Sequence, residues 1–322
     1  MHPGYSIARI SKLFGKSRQA FHQMETRQTK EHINDEVLLV YVRAIRKQQP
    51  RLGTRKMYAM LQDPIKSNGI KIGRDKFFTL LQKNDLLVKK RRKHVHTTDS
   101  NHLYKRYRNL IKEYIPTGPE QIWVSDITYL SIENGFVYLS LVTDLYSKKI
   151  MGYYVSPTLE TTGPLKALKM ALKNRRHPDA RLIHHSDHGI QYCCHEYINV
   201  LEMNKIQVSM SARGNPYENA TAERVNGILK SEFYLDRCFN DLAEVRFVVH
   251  DTVRTYNCIR PHASCDYLTP DQAHDREGVL KKRWKNYNQV KQSKELVPIS
   301  EEVKLVLSQL LKKVNQVEIN TP

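Results

Sequence analysis

Three apolar runs separated by short turns constrain the fold of this chain more than any other feature. Residues 121–130, 136–143 and 149–155 are rich in β-branched and aromatic residues, and turn residues such as Asn134-Gly135 lie between them. Such runs are typical of β-strands, and connections this short join antiparallel neighbours. The pattern predicts a three-stranded antiparallel meander.

The elements after the meander alternate between helix and strand. Apolar spacing predicts a helix containing 165–172, a strand at 181–185, a helix at 195–203, a strand at 205–209, a helix that Asn215 can cap and a helix at 241–257. Strands followed by alternating helices and strands indicate an α/β fold, here a five-stranded mixed sheet with helices on its faces.

Positive charge is concentrated before this region. Residues 1–117 carry 26 Lys and Arg against 9 Asp and Glu, whereas residues 118–322 carry 26 against 24. Because Lys and Arg neutralise DNA phosphates and release counterions, an excess of this size indicates a nucleic-acid-binding part joined to a second part. No stretch approaches the ~20 apolar residues that span a bilayer, and five scattered Cys do not indicate a disulfide framework. We expect a soluble, intracellular protein without a membrane partner.

The basic third is predicted to be helical. In residues 6–28 two short helices flank Gly15, and Ser17 can cap the second, which is the layout of a helix-turn-helix. Three more helices follow in residues 35–87, of which Thr54 caps the second and Asp63-Pro64 ends it. Short helices with basic flanks suit DNA binding, although a small helical bundle for protein contacts has a similar pattern.

A run of five like charges at residues 89–93 favours a linker that lies along a phosphate backbone. The side chains expected to contact DNA in the basic third are Arg74, Lys76, Lys89, Lys90, Arg91, Arg92 and Lys93. The predicted parts of the chain are a helix-turn-helix segment at 1–34, a helix-turn-helix-like DNA-binding domain at 35–88, a basic linker at 89–117, a catalytic core at 118–272 and a basic helical tail at 273–322.

Three carboxylates are placed at the ends of predicted elements. Asp126 is in the first strand, Asp187 follows the fourth strand, and Glu223 is about two turns into the helix that follows Asn215-Pro216. Hard cations prefer oxygen ligands, so converging carboxylates favour Mg²⁺. Two such ions, about 3.5–4 Å apart, can activate the attacking oxygen and stabilise the leaving oxygen of a phosphodiester. Other Asp and Glu pairs share the Asp187–Glu223 spacing, so spacing alone is weak evidence. The interpretation rests on the predicted strand before Asp187 and the predicted capped helix that contains Glu223.

Five motifs then resemble, in order, the catalytic core of DDE transposases and retroviral-type integrases, and most closely the second-frame product of the insertion sequence three family. They are WVSDITYL, TDLYSKKIMGYY, HHSDHGIQY, SARGNPYENATAERVNGILKSE and YNCIRPHASCDYLTP, and they extend from about residue 120 to 272. Two positions depart from the family pattern, namely Cys265 and the pair Cys193-Cys194.

The resemblance implies a ribonuclease-H-like core in which Asp126, Asp187 and Glu223 bind Mg²⁺, with two ions and with Mn²⁺ as an accepted substitute. It implies that Lys230 lies near DNA phosphates; Asn226 shares the helix face of Glu223 and is a second candidate contact. The implied reaction is hydrolytic nicking at the ends of an insertion sequence, followed by attack of the freed 3′-hydroxyl on another phosphodiester. The implied partners are double-stranded DNA, further copies of the chain and a first-frame helix-turn-helix protein, in the bacterial cytoplasm or nucleoid.

Other interpretations stay open at this point. A DNA-binding regulator derived from a transposase would not need all three acids, and a ribonuclease-H-type nuclease would need neither the basic third nor the RPH segment. Asp144 is more typical of a turn than of a fourth ligand, and Trp123 is more typical of core than of a base-stacking platform. The His and Cys residues at 184–195 lack the usual spacing of zinc ligands.

Overall fold

The structure, a computed structural model, describes residues 6–88, 107–112, 114–211 and 219–283. The helices are α1 (Ile7–Leu13), α2 (Arg18–Gln48), α3 (Thr54–Met60), α4 (Gln62–Ser67), α5 (Arg74–Lys83), α6 (Thr162–Lys173), α7 (Ile190–Cys193), α8 (His195–Met203), α9 (Ala220–Glu232), α10 (Leu242–Cys258) and α11 (Pro270–His274). The strands are β1 (Ile122–Ile132), β2 (Gly135–Asp144), β3 (Ile150–Ser156), β4 (Ile183–Ser186), β5 (Gln207–Met210) and β6 (Cys238–Phe239). Within these ranges no helix is long and apolar enough to cross a membrane.

One mixed sheet organises the second part of the chain. The strand order is β3-β2-β1-β4-β5, and β6 pairs with the far end of β1. β1, β2 and β3 pair antiparallel, which confirms the predicted meander, while β4 and β5 continue the sheet in parallel with β1. The predicted five-stranded mixed sheet is therefore confirmed, with the two-residue strand β6 added.

Helices cover both faces of the sheet. On one face, α9 and α10 pack against apolar side chains of the meander such as Leu130 and Leu139. On the other face, α6 and α8 pack around Trp123, which is fully buried as predicted. Gly152 of β3 lets α6 approach closely, because a Cβ there would collide with the backbone oxygen of Ala167 and lie 2.6 Å from the backbone nitrogen of Ala171.

The helical part differs from the sequence prediction in one long element. Ser17 accepts a hydrogen bond from the backbone N–H of Ala20 (3.1 Å), so the predicted cap is confirmed. The helix that it starts, however, is continuous for 31 residues and passes through the expected boundary between residues 34 and 35. The separate short helices predicted there are wrong, because the polar stretch between the apolar segments contains no Gly or Pro to end a helix.

Two helix boundaries are also corrected. Thr54 is the first residue of α3 rather than its side-chain cap, and Pro64 lies in the first turn of α4, where a missing N–H costs little, instead of closing the helix before it. The described part of α9 begins at Ala220 with Asn219 as N-cap, so Glu223 is in the first turn and not two turns in. Asn215-Pro216, the basic run 89–93 and residues 284–322 lie outside the described residues.

The buried carboxylate of Glu120 holds the segment before β1 against the loop after α6. The carboxylate of Glu120 accepts hydrogen bonds from the backbone N–H groups of Arg176 (2.8 Å) and His177 (2.9 Å), and it lies 3.5 Å from His274. Burial alone would raise the pKa of Glu120, but His274 and the two N–H groups outweigh it and lower the pKa to about 2. The ionised form is therefore the one that the fold stabilises.

This arrangement predicts a pH-dependent loss of stability in acid. Glu120 is more acidic folded than unfolded, so its contribution is complete above its usual pKa near 4.5 and is lost as the pH falls towards 2. We expect Glu120→Gln to lower the free energy of unfolding by about 2 kcal/mol at pH 6 and to have little effect near pH 2. Urea unfolding of both proteins across this range is the measurement; a difference that does not depend on pH would contradict the assignment.

Candidate active site

Two aspartates meet where β1 and β4 run side by side. The parallel register pairs Ser125 with Ser186, so the residues that follow them, Asp126 and Asp187, are neighbours at the carboxyl end of β4. Both side chains are half-buried. The backbone N–H of Gly189 donates to Asp187 Oδ1 (3.2 Å) and holds this carboxylate in place.

Without a bound cation, the negative charges of Asp126 and Asp187 are unfavourable, because both carboxylates are partly buried and close together. Burial raises the pKa of Asp126 to about 7, with repulsion from Asp187 as the next largest cause and a further contribution from Glu223. Burial also raises the pKa of Asp187. Two carboxylates that disfavour each other's charge in this way are stabilised by a bound cation.

Helix α9 is tied to β1 by two side-chain amides. Asn226 Nδ2 donates to Asp126 Oδ2 (2.9 Å), and Asn219 Nδ2 donates to the backbone oxygen of Ser125 (3.0 Å). Among the described residues, the buried Oδ1 of Asn226 has no hydrogen-bond partner. The helix therefore presents an unsatisfied oxygen beside the paired aspartates.

Glu223 lies one helical turn before Asn226 on the same face of α9 and is exposed. It is close enough to Asp126 to contribute to its raised pKa. In the described ranges, however, no three His, Cys, Asp or Glu side chains converge tightly enough to hold a metal ion. The structure thus brings Asp126 and Asp187 together. Glu223 lies near them, but its carboxylate does not converge with the other two.

Lys230 brings a positive charge close to Asp126. Its ammonium lies over the ring of Tyr129, 4.2 Å from the centroid. Burial lowers the pKa of Lys230, while attraction to Asp126 acts in the opposite direction. The side chain is seven residues from Glu223 and four from Asn226, so all three share one helix face, as the spacing predicted.

The other basic side chains singled out in the sequence lie elsewhere. Arg74 is exposed on α5 and pairs with Asp75 (2.9 Å), and Lys76 is exposed and 3.5 Å from Glu31. Neither has a contact with the acids, and their role in DNA binding stays a prediction.

The histidine segment and Asp144 have structural contacts. His184 is buried, and its Nε2 contacts both Ser125 Oγ (2.7 Å) and Tyr197 Oη (3.0 Å). Burial lowers the pKa of His184 to about 3, so the ring is neutral. His185 contacts Ser209 Oγ (2.8 Å). Asp144 accepts from the backbone N–H groups of Glu120 (2.7 Å) and Ser147 (2.8 Å) and from the Ser147 hydroxyl. The turn role predicted for Asp144 is confirmed.

Sequence reasoning missed a buried charge cluster at the end of α9. The guanidinium of Arg260 is 1% exposed and donates to both carboxylate oxygens of Glu232 (2.9 and 3.0 Å). Lys56 of α3 reaches the same carboxylate (2.5 Å), and the backbone N–H of Arg51 donates to the backbone oxygen of Glu232 (3.0 Å). The cluster therefore links α3 and the segment before it to α9, the helix that carries Glu223. No sequence periodicity links positions so far apart.

A mixed sheet of this order, with acids on β1, after β4 and on a following helix, defines the class of ribonuclease-H-like nucleotidyl transferase cores. Two models of the integrase core domain match this chain, over residues 116–216 and 204–270. An uncharacterized 31 kDa protein of the insertion element IS600 from Shigella sonnei is 35% identical over 271 residues, which are 81% of this chain and 96% of that protein.

Named transposases are also similar. The transposase for insertion sequence element IS629 of Shigella sonnei is 32% identical and covers 69% of this chain and 73% of its own length. The transposase InsF for insertion sequence IS3A of Escherichia coli K12 is 30% identical, with 79% and 86% covered. Among solved structures, a simian T-cell lymphotropic virus intasome has a TM-score of 0.44 at 18% identity and covers 70% of this chain and 74% of that one. The chain belongs to the IS3 family of DDE transposases.

Proposed function

We propose that this transposase nicks DNA at the ends of its insertion sequence and joins the freed 3′-hydroxyl to a second phosphodiester, with Asp126, Asp187 and Glu223 as the metal-binding residues. The observation that carries the assignment is the pairing of Asp126 and Asp187 at the carboxyl end of β4, with the amide of Asn226 hydrogen-bonded to Asp126. The same arrangement argues against a DNA-binding regulator without chemistry, since such a protein needs no repelling acids.

The residues present fit a hard divalent cation. The carboxylates of Asp126 and Asp187 disfavour each other's charge, and the buried Oδ1 of Asn226 lacks a hydrogen-bond partner among the described residues. Oxygen ligands of this kind suit Mg²⁺, and Mn²⁺ as a substitute. When bound, a pair of such ions supplies charge stabilisation to the attacking and leaving oxygens.

The chain's own side chains position the reactants. We assign Lys230 to a DNA phosphate beside the acids, because its ammonium is half-buried and within the field of Asp126. Asn226 orients Asp126, and the Gly189 N–H orients Asp187, so neither carboxylate has to be ordered during the reaction. Side chains that are already in position lower the activation free energy of the reaction, in addition to any charge stabilisation by the metal ions.

The remaining partners follow from the reaction. Arg74, Lys76 and the run 89–93 would hold the double-stranded ends, and joining two ends calls for more than one copy of the chain. A first-frame helix-turn-helix protein is the proposed source of additional end recognition. The protein is proposed to act on DNA in the bacterial cytoplasm.

The test is nicking and strand transfer on labelled end DNA with Mg²⁺, comparing the wild type with Glu223→Gln. The variant keeps the size of the side chain and removes the charge, so we expect a loss of at least about 10³-fold in both steps. Glu202→Gln, at an exposed position of α8, is the matched control and should retain activity. Equal activity of Glu223→Gln and wild type would reject the role of Glu223.

A further inference from the structure

Helix α6 carries positive charge alone on its exposed side. Residues 162–176 contain five Lys and Arg and no Asp or Glu, although the chain from residue 118 onwards is nearly balanced in charge. Lys166, Lys169 and Lys173 are exposed and three or four residues apart, so they lie on one face of the helix. These three side chains form a lysine stripe about 10 Å long.

The charge of the lysine stripe is not neutralised within the described part of the chain. Glu160 and Asp179 flank α6 in sequence, but in the described ranges no Asp or Glu forms an ion pair with a lysine of the stripe. Like charges three or four residues apart repel each other along a helix. The repulsion is therefore relieved only by an anion from outside these ranges.

Tyr154 on the edge strand β3 brings a fourth cation to this stripe. Lys166 Nζ donates to the Tyr154 hydroxyl (3.0 Å) and lies 4.5 Å from the centroid of the ring. Arg246 reaches the same hydroxyl from α10 (3.4 Å) and also donates to the backbone oxygen of Val155 (3.2 Å). The hydrogen bond from Lys166 lowers the pKa of Tyr154, and the charge of Arg246 acts in the same direction. Two cations that share one uncharged oxygen favour an anionic phosphate beside them.

The lysine stripe lies apart from the acids. Helix α6 packs on the face of the sheet that contains Trp123, whereas α9, whose Asn226 binds Asp126, packs on the opposite face. The edge strand β3 is two strands away from β1, a distance of about 10 Å across the sheet. A duplex held against α6 is therefore separate from the phosphodiester at the acids.

We propose that the lysine stripe, together with Arg246, binds the phosphate backbone of the second DNA segment, the one that the freed 3′-hydroxyl attacks. This inference rests on the proposed function. Along the axis of a duplex, successive phosphates of one strand are about 3.4 Å apart, so a stripe of about 10 Å matches three of them. Contacts to phosphates do not depend on base sequence. A second copy of the chain is a poorer occupant, because a two-fold contact would place the same cations against each other.

The test measures nicking and strand transfer separately for the full-length wild type and for a triple variant, Lys166→Gln with Lys169→Gln and Lys173→Gln. Labelled end DNA is nicked, and a separate duplex of unrelated sequence is the acceptor. We expect nicking to stay within about twofold and strand transfer at about 0.15 M salt to fall by at least about tenfold. All three side chains are exposed, so the melting temperature should be unchanged.

Binding of the second duplex is measured without chemistry, in Ca²⁺ and after unlabelled end DNA has been added in excess. Each phosphate contact that is lost lowers the slope of log K against log salt by about 0.9, so the triple variant should have a slope smaller by roughly 2.7. Lys169→Gln alone should lower the slope by about 0.9. Lys205→Gln, at an exposed position after α8, is the matched control and should leave the slope unchanged.

Three results would overturn the inference. Unchanged strand transfer and an unchanged salt slope in the triple variant would make the stripe an ordinary solvated surface. Loss of nicking together with strand transfer would assign the stripe to end DNA. A change in the sedimentation of the DNA-free triple variant would assign it to contact between copies of the chain.

The binding measurement also separates this inference from the proposed function. A wild type that never nicks, but whose salt slope falls as expected in the triple variant, would reject the proposed function alone. A wild type that nicks and joins DNA, with the same salt slope as the triple variant, would reject the stripe alone.

Discussion

Asp126→Asn is expected to abolish nicking and strand transfer while making the metal-free protein more stable. Loss of one of the paired carboxylates removes a cation ligand, so we expect activity with Mg²⁺ to fall by at least about 10³-fold. Binding of end DNA should change little, because the basic side chains are untouched.

The gain in stability comes from removing a charge that the fold disfavours. Burial and the neighbouring Asp187 raise the pKa of Asp126 to about 7, so at pH 8 the ionised carboxylate costs free energy that Asn does not. We expect a gain of about 1–3 kcal/mol without divalent ions. The gain is less than the full electrostatic cost because the carboxylate accepts from both Ile127 and Asn226, and an amide has only one acceptor oxygen.

Thermal unfolding in chelator, together with the cleavage assay, measures both effects. Asp179→Asn, at an exposed position, is the control and should change neither. An Asp126→Asn protein that still nicks would contradict the metal role, and one that is less stable than the wild type in chelator would contradict the electrostatic account.

The second large effect is expected at Arg260. Its buried guanidinium holds both oxygens of Glu232, and Arg260→Met leaves this carboxylate with Lys56 alone. Breaking a buried ion pair by removing one partner costs about 3–5 kcal/mol. We therefore expect Arg260→Met to lower the melting temperature by about 10 °C. Because Glu232 ends α9, the helix that carries Glu223, activity should fall at temperatures well below unfolding.

A double variant separates the pair from simple loss of packing. Glu232→Met combined with Arg260→Met removes the Arg260–Glu232 pair, although Lys56, whose side chain is 18% exposed, then loses its partner; the double variant should still be less destabilising than the sum of the single changes. Arg27→Met is the comparison for an exposed ion pair, since the side chains of Arg27 and Glu31 are 79% and 47% exposed, and it should shift stability by less than about 0.5 kcal/mol. A loss below about 1 kcal/mol for Arg260→Met would show that the cluster adds little.

Local patterns predicted the meander, α10 and the position of Asp126 and Asp187, because strand alternation and short turns are visible in neighbouring residues. The polar stretch before Asp35 predicted a boundary, yet α2 continues through it, because Lys, Glu and His are compatible with a helix interior. The start of α9 was set from Asn215-Pro216, whereas the described helix has its N-cap at Asn219.

Contacts between distant positions could not be predicted. Lys56 and Arg260 both bind Glu232 in the folded chain, although they are far apart in sequence. No sequence motif indicates that these three residues are neighbours. Trp123 was predicted as core rather than as a base-stacking platform, and the packing of α6 and α8 buries it completely.

The most direct test of the central claim is Mn²⁺ binding followed by electron paramagnetic resonance, with Mg²⁺ as competitor. We predict that the wild type binds Mn²⁺, that Mg²⁺ displaces it, and that Asp126→Asn and Asp187→Asn each weaken binding by at least about tenfold. Asp179→Asn should bind as the wild type does. Unchanged Mn²⁺ affinity in both active-site variants would contradict the assignment of these acids as the metal-binding residues of the transposase.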